Sequence, residues 1–234
     1  MKILAFDTAL NACSIAITDE TDILAHVHEK RRRGHAEILM PMIEALMRDV
    51  GLTYADIDLI AVTVGPGTFT GLRIGLAAAR GMSLAARKPL IGVTTLEALA
   101  AAVPEAMTDG RPVIATADAR RGEVYLQSFN VHSGNNIISP LIPPTACKIE
   151  TALSSLDTRK AVIVGSGGPL LQSQPEFDEV RYQLLELDED PDAQYVARIA
   201  LSRGIPPQNS APPAPLYLRA PDAKLPGGRN PASL

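Results

Sequence analysis

Cysteine is scarce in this 234-residue chain: Cys13 and Cys147 stand far apart, without the CxxC spacing of a zinc knuckle, and read as free thiols in a reducing compartment. Histidine is almost as sparse. His26, His28, His35 and His132 supply no i, i+4 pair for a metal site built on one helix. His26 and His28 fall at strand spacing instead, on a face expected to meet solvent. Positive charge is not in excess: 22 Lys and Arg against 26 Asp and Glu leave a formal charge of −4. The broad positive field that draws nucleic acid by counterion release is missing, so tight nucleic-acid binding by this chain alone is not expected.

Long apolar runs are missing too. No stretch approaches the roughly 20 residues needed to cross a bilayer, and the first residues carry no basic-then-apolar leader, so a cytoplasmic chain with no membrane partner is expected. Three catalytic signatures are absent as well: the Gly-Lys-Ser/Thr ending of a Walker loop, the Gly-x-Gly-x-x-Gly dinucleotide fingerprint, and the Gly-x-Ser-x-Gly elbow of a serine hydrolase.

What is present is an alternation of strand and helix patterns. The first thirty residues read as three strands, broken after Phe6 and at the acidic turn from Asp19 to Asp22, which makes an antiparallel meander. Ile38, Leu39, Met42, Ile43, Leu46 and Val50 then recur at three and four residues, one apolar face of a helix ending near Gly51, with Pro41 marking a kink or a late start. A β-branched run over 59–64, the turn Gly65-Pro66-Gly67 and a helical pattern over 69–87 form a strand, glycine turn and helix. A strand at 90–93 follows, and Thr94 and Glu97 stand at capping-box spacing to open a helix through Val103.

After Pro112 the order begins again with a strand over 113–117, Asp118, the basic turn Arg120-Arg121-Gly122, and strands over 123–131 and 161–164, then the turn 165–168 and a helix near 193–202. The repetition predicts an α/β fold of two related lobes, 1–108 and a smaller 109–205. Eight of the 19 prolines lie beyond residue 205, so 206–234 is expected as extended chain, loose from Ala220 onward. Within it only Pro215-Leu216-Tyr217-Leu218-Arg219 has the apolar mass to dock.

Four features are candidates for function. Asp7 and Thr8, at a strand end, suit the metal and phosphates of a nucleotide in actin-like and sugar-kinase-like folds; the same residue types also bond local backbone amides at strand ends. In the glycine loop, Gly65 and Gly67 allow a tight turn, and Thr68 or Thr70 opens a helix whose free amides suit an anion or need only a cap. Gly71, Gly75 and Ala79 lie four apart, a stripe almost without side chains. It serves either packing against a sheet or a subunit contact shared with Met40, Met42 and Met47 of the first helix, and the subunit alternative expects Gly75→Glu to block assembly in a chain that stays folded. Arg31, Arg32 and Arg33 form either a solvated loop or a phosphate-binding patch at an assembled RNA site.

Several segments together resemble the TsaB family, formerly called YeaZ. They are Ile3-Leu4-Ala5-Phe6-Asp7-Thr8, His35 to Pro41, Val64 to Leu84, Thr94 to Leu99, Asp118 to Tyr125, Val164 to Gly167 and Leu216-Tyr217-Leu218-Arg219, in the family's order over most of the chain. The resemblance implies an actin-like, acetate-kinase-type fold with a reduced C-terminal lobe. It also implies a non-catalytic scaffold or activator that forms a heterodimer with TsaD, the paralogue that transfers a threonylcarbamoyl group from an adenylate to the adenosine beside the tRNA anticodon, with the ATPase TsaE joining. No cofactor is implied for this chain; ATP or ADP and a metal ion belong to the partner subunits. Pairing of N-terminal lobes through their helices maps the partner interface onto His35, Ile38, Leu39, Met42, Leu46, Gly71, Leu72, Gly75 and Ala79. A vestigial nucleotide site maps onto Asp7, Thr8, Gly65, Gly67, Thr68, Thr70 and Asp118.

The catalytic relative carries a His-x-x-x-His metal pair on the helix corresponding to 35–50, whereas here Leu39 stands four residues after His35. That departure argues against transfer chemistry, and against the glycopeptidase label the family once bore. The competing expectation is an independent nucleotide-dependent phosphotransferase using Asp7, the 65–70 loop and Asp118. An apolar helical face awaiting its partner is a liability, so the free chain is either a monomer or a homodimer that covers this face through the same helices.

Overall fold

A computed structural model describes residues 1–132, 137–156 and 160–219. The chain opens as the expected meander, with β1 (Lys2–Asp7), β2 (Ala12–Asp19) and β3 (Asp22–Lys30) paired antiparallel in turn. α1 (His35–Asp49) starts at its first residue with Pro41 inside it, and leads to β4 (Leu59–Gly65), which pairs parallel with β1. α2 (Phe69–Ala86) carries the chain back to β5 (Leu90–Thr94), completing a sheet ordered β3-β2-β1-β4-β5. α3 (Thr95–Ala101) begins at a reciprocal cap: Thr94 Oγ1 accepts from the Glu97 amide at 3.1 Å, and the Glu97 carboxylate accepts from the Thr94 amide at 2.8 Å.

A single turn, α4 (Glu105–Thr108), precedes the second sheet. Its elements are β6 (Val113–Arg120), β7 (Glu123–His132), β8 (Ile137–Pro140), β9 (Thr145–Lys148), α5 (Ile149–Ala152), β10 (Ala161–Val164), α6 (Gly168–Gln172) and β11 (Tyr182–Leu184). The order is β11-β10-β6-β7-β8, with β9 also paired to β7. Each sheet therefore has a central strand with an antiparallel hairpin partner on one side and two parallel strands on the other, so the internal repetition is present in the strand pairing itself. The elements that sequence patterning missed, β8, β9, β11, α4, α5 and α6, are three to five residues long, too short to display a period.

The last helix corrects the expected division of the chain. α7 (Ala193–Arg203), placed by sequence with the second lobe, crosses back and packs Ala193, Val196, Ala197 and Ala200 onto Ile3, Ala5, Ala16, Leu59 and Ala61 of the first sheet. Strand alternation makes this possible: Leu4 and Phe6 face the opposite way, onto Leu39, Ile43 and Leu76 of α1 and α2. α3 lies between the two sheets, with Leu96, Leu99 and Ala100 against Val113, Ala115 and Val162. Each large apolar side chain buried in these layers contributes about 1.5 to 3 kcal/mol relative to exposure.

The proline-rich segment then straps the lobes together. The Leu216 amide donates to the Val64 carbonyl at 2.7 Å, and Arg80 donates to the Pro213 carbonyl at 2.6 Å, both on the first lobe. Arg219 reaches the second, donating to the Ala119 carbonyl at 3.2 Å and to the Glu123 carboxylate at 2.9 Å. The docking expected of 215–219 is thus observed, while the tail expected to be loose from Ala220 lies outside the described residues.

Candidate functional site

At the end of β1 the chain turns two polar side chains inward. Asp7 is 0% exposed; its Oδ1 accepts from the Thr63 hydroxyl at 2.5 Å and from the Ala9 amide at 3.1 Å, while Oδ2 has no partner among the described residues. Burial pushes the carboxyl up to about 7, against those two hydrogen bonds and with the help of the nearby Asp190 and Asp192. Thr8, equally buried, donates its hydroxyl to the Gly71 carbonyl at 2.8 Å. A sealed carboxyl and a spent hydroxyl do not reach a metal or a phosphate, so the expected roles of Asp7 and Thr8 in a nucleotide site are corrected: both are internal to the fold.

The glycine loop shows why. Thr68 caps α2, its Oγ1 accepting from the Gly71 amide at 3.2 Å, while Thr70 is exposed on the first turn. A Cβ at Gly71 would sit 2.0 Å from the Thr8 carbonyl oxygen, one at Gly67 2.6 Å from the Ala9 carbonyl oxygen, and one at Gly75 2.6 Å from the Thr8 hydroxyl. The stripe of Gly71, Gly75 and Ala79, with Leu72 beside it, is the buried face of α2 where it closes on β1. As a partner contact it is therefore corrected, because these atoms already have neighbours. His35 and Leu39 are buried in the same way, the former with Nε2 against the Ala12 carbonyl at 3.1 Å.

A different face of the two helices is open. Met40 and Glu44 of α1, Tyr54, and Ala78, Gly81, Met82 and Ala85 of α2 line a shallow groove of about 500 Å³. Among the residues expected at a partner contact, Ile38, Met42 and Leu46 are half-buried against the core and do not line this groove, and Leu84, near the end of α2, is 82% exposed. The outward stripe of α2 is Ala78, Gly81 and Ala85, one step round the helix from the stripe the spacing suggested.

Between the lobes lies a cleft of about 570 Å³. Gly67 and Thr68 form one side and Asp118 and Ser166 the other, so these parts of the expected site do come together. Gly65 does not; it is buried against the Leu216 carbonyl of the strap. Asp118 is committed locally, accepting from the Arg120 amide at 2.7 Å and pairing with the Arg120 guanidinium at 2.9 Å. Of the basic run, Arg32 enters the cleft, Arg31 pairs with Glu29 at 2.6 Å and Arg33 is exposed. Phe69, Tyr125, Tyr217 and Arg219 complete the walls; sequence reasoning marked the Tyr217 segment for docking but had no signal for where it lands.

Elsewhere, His26 is exposed on β3, as its strand spacing suggested, and also ties that strand to α7. Its Nε2 lies 2.6 Å from Asp192, the N-cap of that helix, which also accepts from the Ser14 hydroxyl. Burial pushes Asp192 up, but the bonds from His26 and Gln194 outweigh it and hold the carboxyl at about 2; the same bond raises His26. Among the described residues no three His, Cys, Asp or Glu side chains stand close enough to hold a metal ion, and no helix is long and apolar enough to cross a membrane.

Two matched sheets with a shared interlobe cleft define an actin-like fold, and solved structures agree. YeaZ from Pseudomonas aeruginosa is similar over 93% of this chain and 99% of its own, with a TM-score of 0.78 at 27% identity. The component A of (R)-2-hydroxyglutaryl-CoA dehydratase from Acidaminococcus fermentans shares the fold alone, with a TM-score of 0.50 at 9% identity over 87% of this chain and 98% of its own. A family model described as "TsaD: tRNA N6-adenosine threonylcarbamoyltransferase" matches residues 22–170. The tRNA threonylcarbamoyladenosine biosynthesis protein TsaB of Escherichia coli is 42% identical over 129 residues, a match spanning 55% of either chain. The Haemophilus influenzae protein of the same name is 31% identical over 71% of this chain and 72% of its own. The chain belongs to the TsaB (YeaZ) family.

Proposed function

We propose that the chain acts in tRNA threonylcarbamoyladenosine biosynthesis as a non-catalytic subunit that binds TsaD and supports threonylcarbamoyl transfer by that partner. The carrying observation is a division within the first lobe: the carboxylate of an actin-like catalytic site, Asp7, is sealed, while the α1–α2 face is open and apolar. An exposed groove of Met, Ala and Gly between two helices suits the approach of two more helices, since small residues permit close backbones and thioethers adapt to them. TsaD is the proposed occupant, with a second copy of this chain covering the same face when TsaD is absent. TsaE and tRNA join that assembly, and ATP or ADP and any metal ion are assigned to the partner subunits. The assembly acts in the cytoplasm.

Burial of Asp7 and Thr8 weighs against the phosphotransferase alternative. Light scattering of the chain alone and mixed with TsaD, followed by a tRNA-modification assay, tests the proposal. The expected result is a stable heterocomplex, modification that requires both chains, and no ATP turnover by this one. Absence of a complex, or magnesium-dependent ATP hydrolysis lost on Asp7→Asn, would reject it.

A further inference from the structure

The interlobe cleft offers chemistry unlike that of a site built on Asp7. Phe69, the first residue of α2, and Tyr217, carried there by the strap, stack with ring centroids 5.7 Å apart, and the Arg73 guanidinium lies 3.6 Å over the Phe69 ring. Large aromatic rings are usually buried. These two keep 49% and 41% of their surface open, at the rim of a cleft into which Arg32 also projects. The Arg32 guanidinium makes no ion pair or hydrogen bond to any described residue, while the cleft's other cations are engaged: Arg120 with Asp118, and Arg219 with Glu123.

We propose that this rim seats one unpaired base of an RNA strand, the base stacking on the Phe69–Tyr217 pair and its phosphate meeting Arg32. Exposed rings reinforced by a guanidinium accept any base face, and an adjacent unpaired arginine supplies the anion contact. A duplex does not fit this chemistry, because its bases are already stacked. The carboxylates of Asp118 and Glu189 line the same cleft and leave little net positive charge, so stacking supplies the affinity and the phosphate contact adds to it. The inference deepens the proposed role in tRNA modification and rests on it, but its test reads RNA contact by this chain and is independent of TsaD assembly.

Fluorescence anisotropy of a short labelled oligoadenylate, titrated with the full chain, measures it, with AMP, ADP and a duplex RNA as separate arms. The single strand is expected to bind in preference to the duplex and to either mononucleotide. Tyr217→Ala should weaken it about tenfold, in line with the stacking energy of one base. Tyr217→Phe should leave it unchanged, and Arg32→Gln should weaken it and flatten its salt dependence. Equal binding by Tyr217→Ala, binding of AMP or ADP as tight as that of the strand, a duplex that binds equally well, or no binding at all would each overturn the proposal. A TsaD complex that forms normally alongside any of those results leaves the subunit role standing; RNA stacking without a TsaD complex does the reverse.

Discussion

Thr8 donates its hydroxyl to the carbonyl of Gly71, and that 2.8 Å contact requires α2 to approach β1 with no side chain between them. A methyl group at Gly71 would meet the Thr8 carbonyl oxygen at 2.0 Å, a backbone atom that cannot swing aside. Gly71→Ala should therefore destabilise the chain by about 2 to 3 kcal/mol of overpacking, despite the better helix propensity of alanine. Gly81, where an added Cβ would meet nothing within 4 Å, should respond with the opposite sign: Gly81→Ala gains about 1 kcal/mol. Thermal or urea unfolding of the two variants separates the inward stripe from the outward one.

Assembly should follow the outward stripe. Gly81→Glu puts a charge in the open α1–α2 groove and is expected to leave the fold intact, as read by circular dichroism, while abolishing the TsaD complex in light scattering. Gly75→Glu, the change suggested by spacing alone, instead drives a side chain into Thr8 and Val62 and should unfold the chain before assembly is tested. A folded Gly81→Glu variant that still binds TsaD at full affinity would remove this groove from the interface.

The contrast between the two stripes shows what was legible in the sequence. The short apolar runs of β1 and β2 bounded by polar turns, the three- and four-residue spacing of α1 and the Thr94–Glu97 cap are local signals, and each element stands where they put it. The repeat of strand, acid and hairpin at Asp7 and Asp118 announced the two lobes. Spacing on α2 showed that Gly71, Gly75 and Ala79 share a face, but which neighbour that face meets depends on where β1 lies, and that is a tertiary fact. The return of α7 to the first sheet and the landing of Tyr217 beside Phe69 join residues more than a hundred positions apart, beyond the reach of any local pattern.

The buried carboxyl of Asp7 makes stability depend on pH in a definite direction. Its pKa is raised from 3.8 to about 7, so the folded state holds the proton that the unfolded chain releases. Its contribution is fully present below the unfolded value and is lost as pH rises through the folded one, an effect of about 4 kcal/mol across that window. Asp7→Asn, neutral at every pH, should flatten the urea midpoint between pH 4 and 7 and raise it above pH 7. Asp7→Ala instead strands the Thr63 hydroxyl and the Ala9 amide and should cost about 1 to 3 kcal/mol even in acid.

The His26–Asp192 pair runs the other way on its acid side and so bounds the stable range from below. Asp192 is held at about 2, so its contribution is present above the ordinary carboxylate value and fades as pH falls toward 2; His26 is raised, so its contribution is present below its unfolded value of 6.5 and fades as pH climbs through the higher folded one. The two overlap between the ordinary carboxylate and imidazole values, where the pair fixes the N-terminus of α7 to β3. His26→Gln should therefore lower stability most within that interval and progressively less as pH rises above the ordinary imidazole value. Because α7 is the element that returns from the second lobe to the first sheet, hydrogen exchange in the variant should quicken at Ala193 to Ala197 before the core of the second sheet is affected. Exchange rates unchanged at those amides would mean that the alanine face of α7 alone, and not this pair, holds the helix in place.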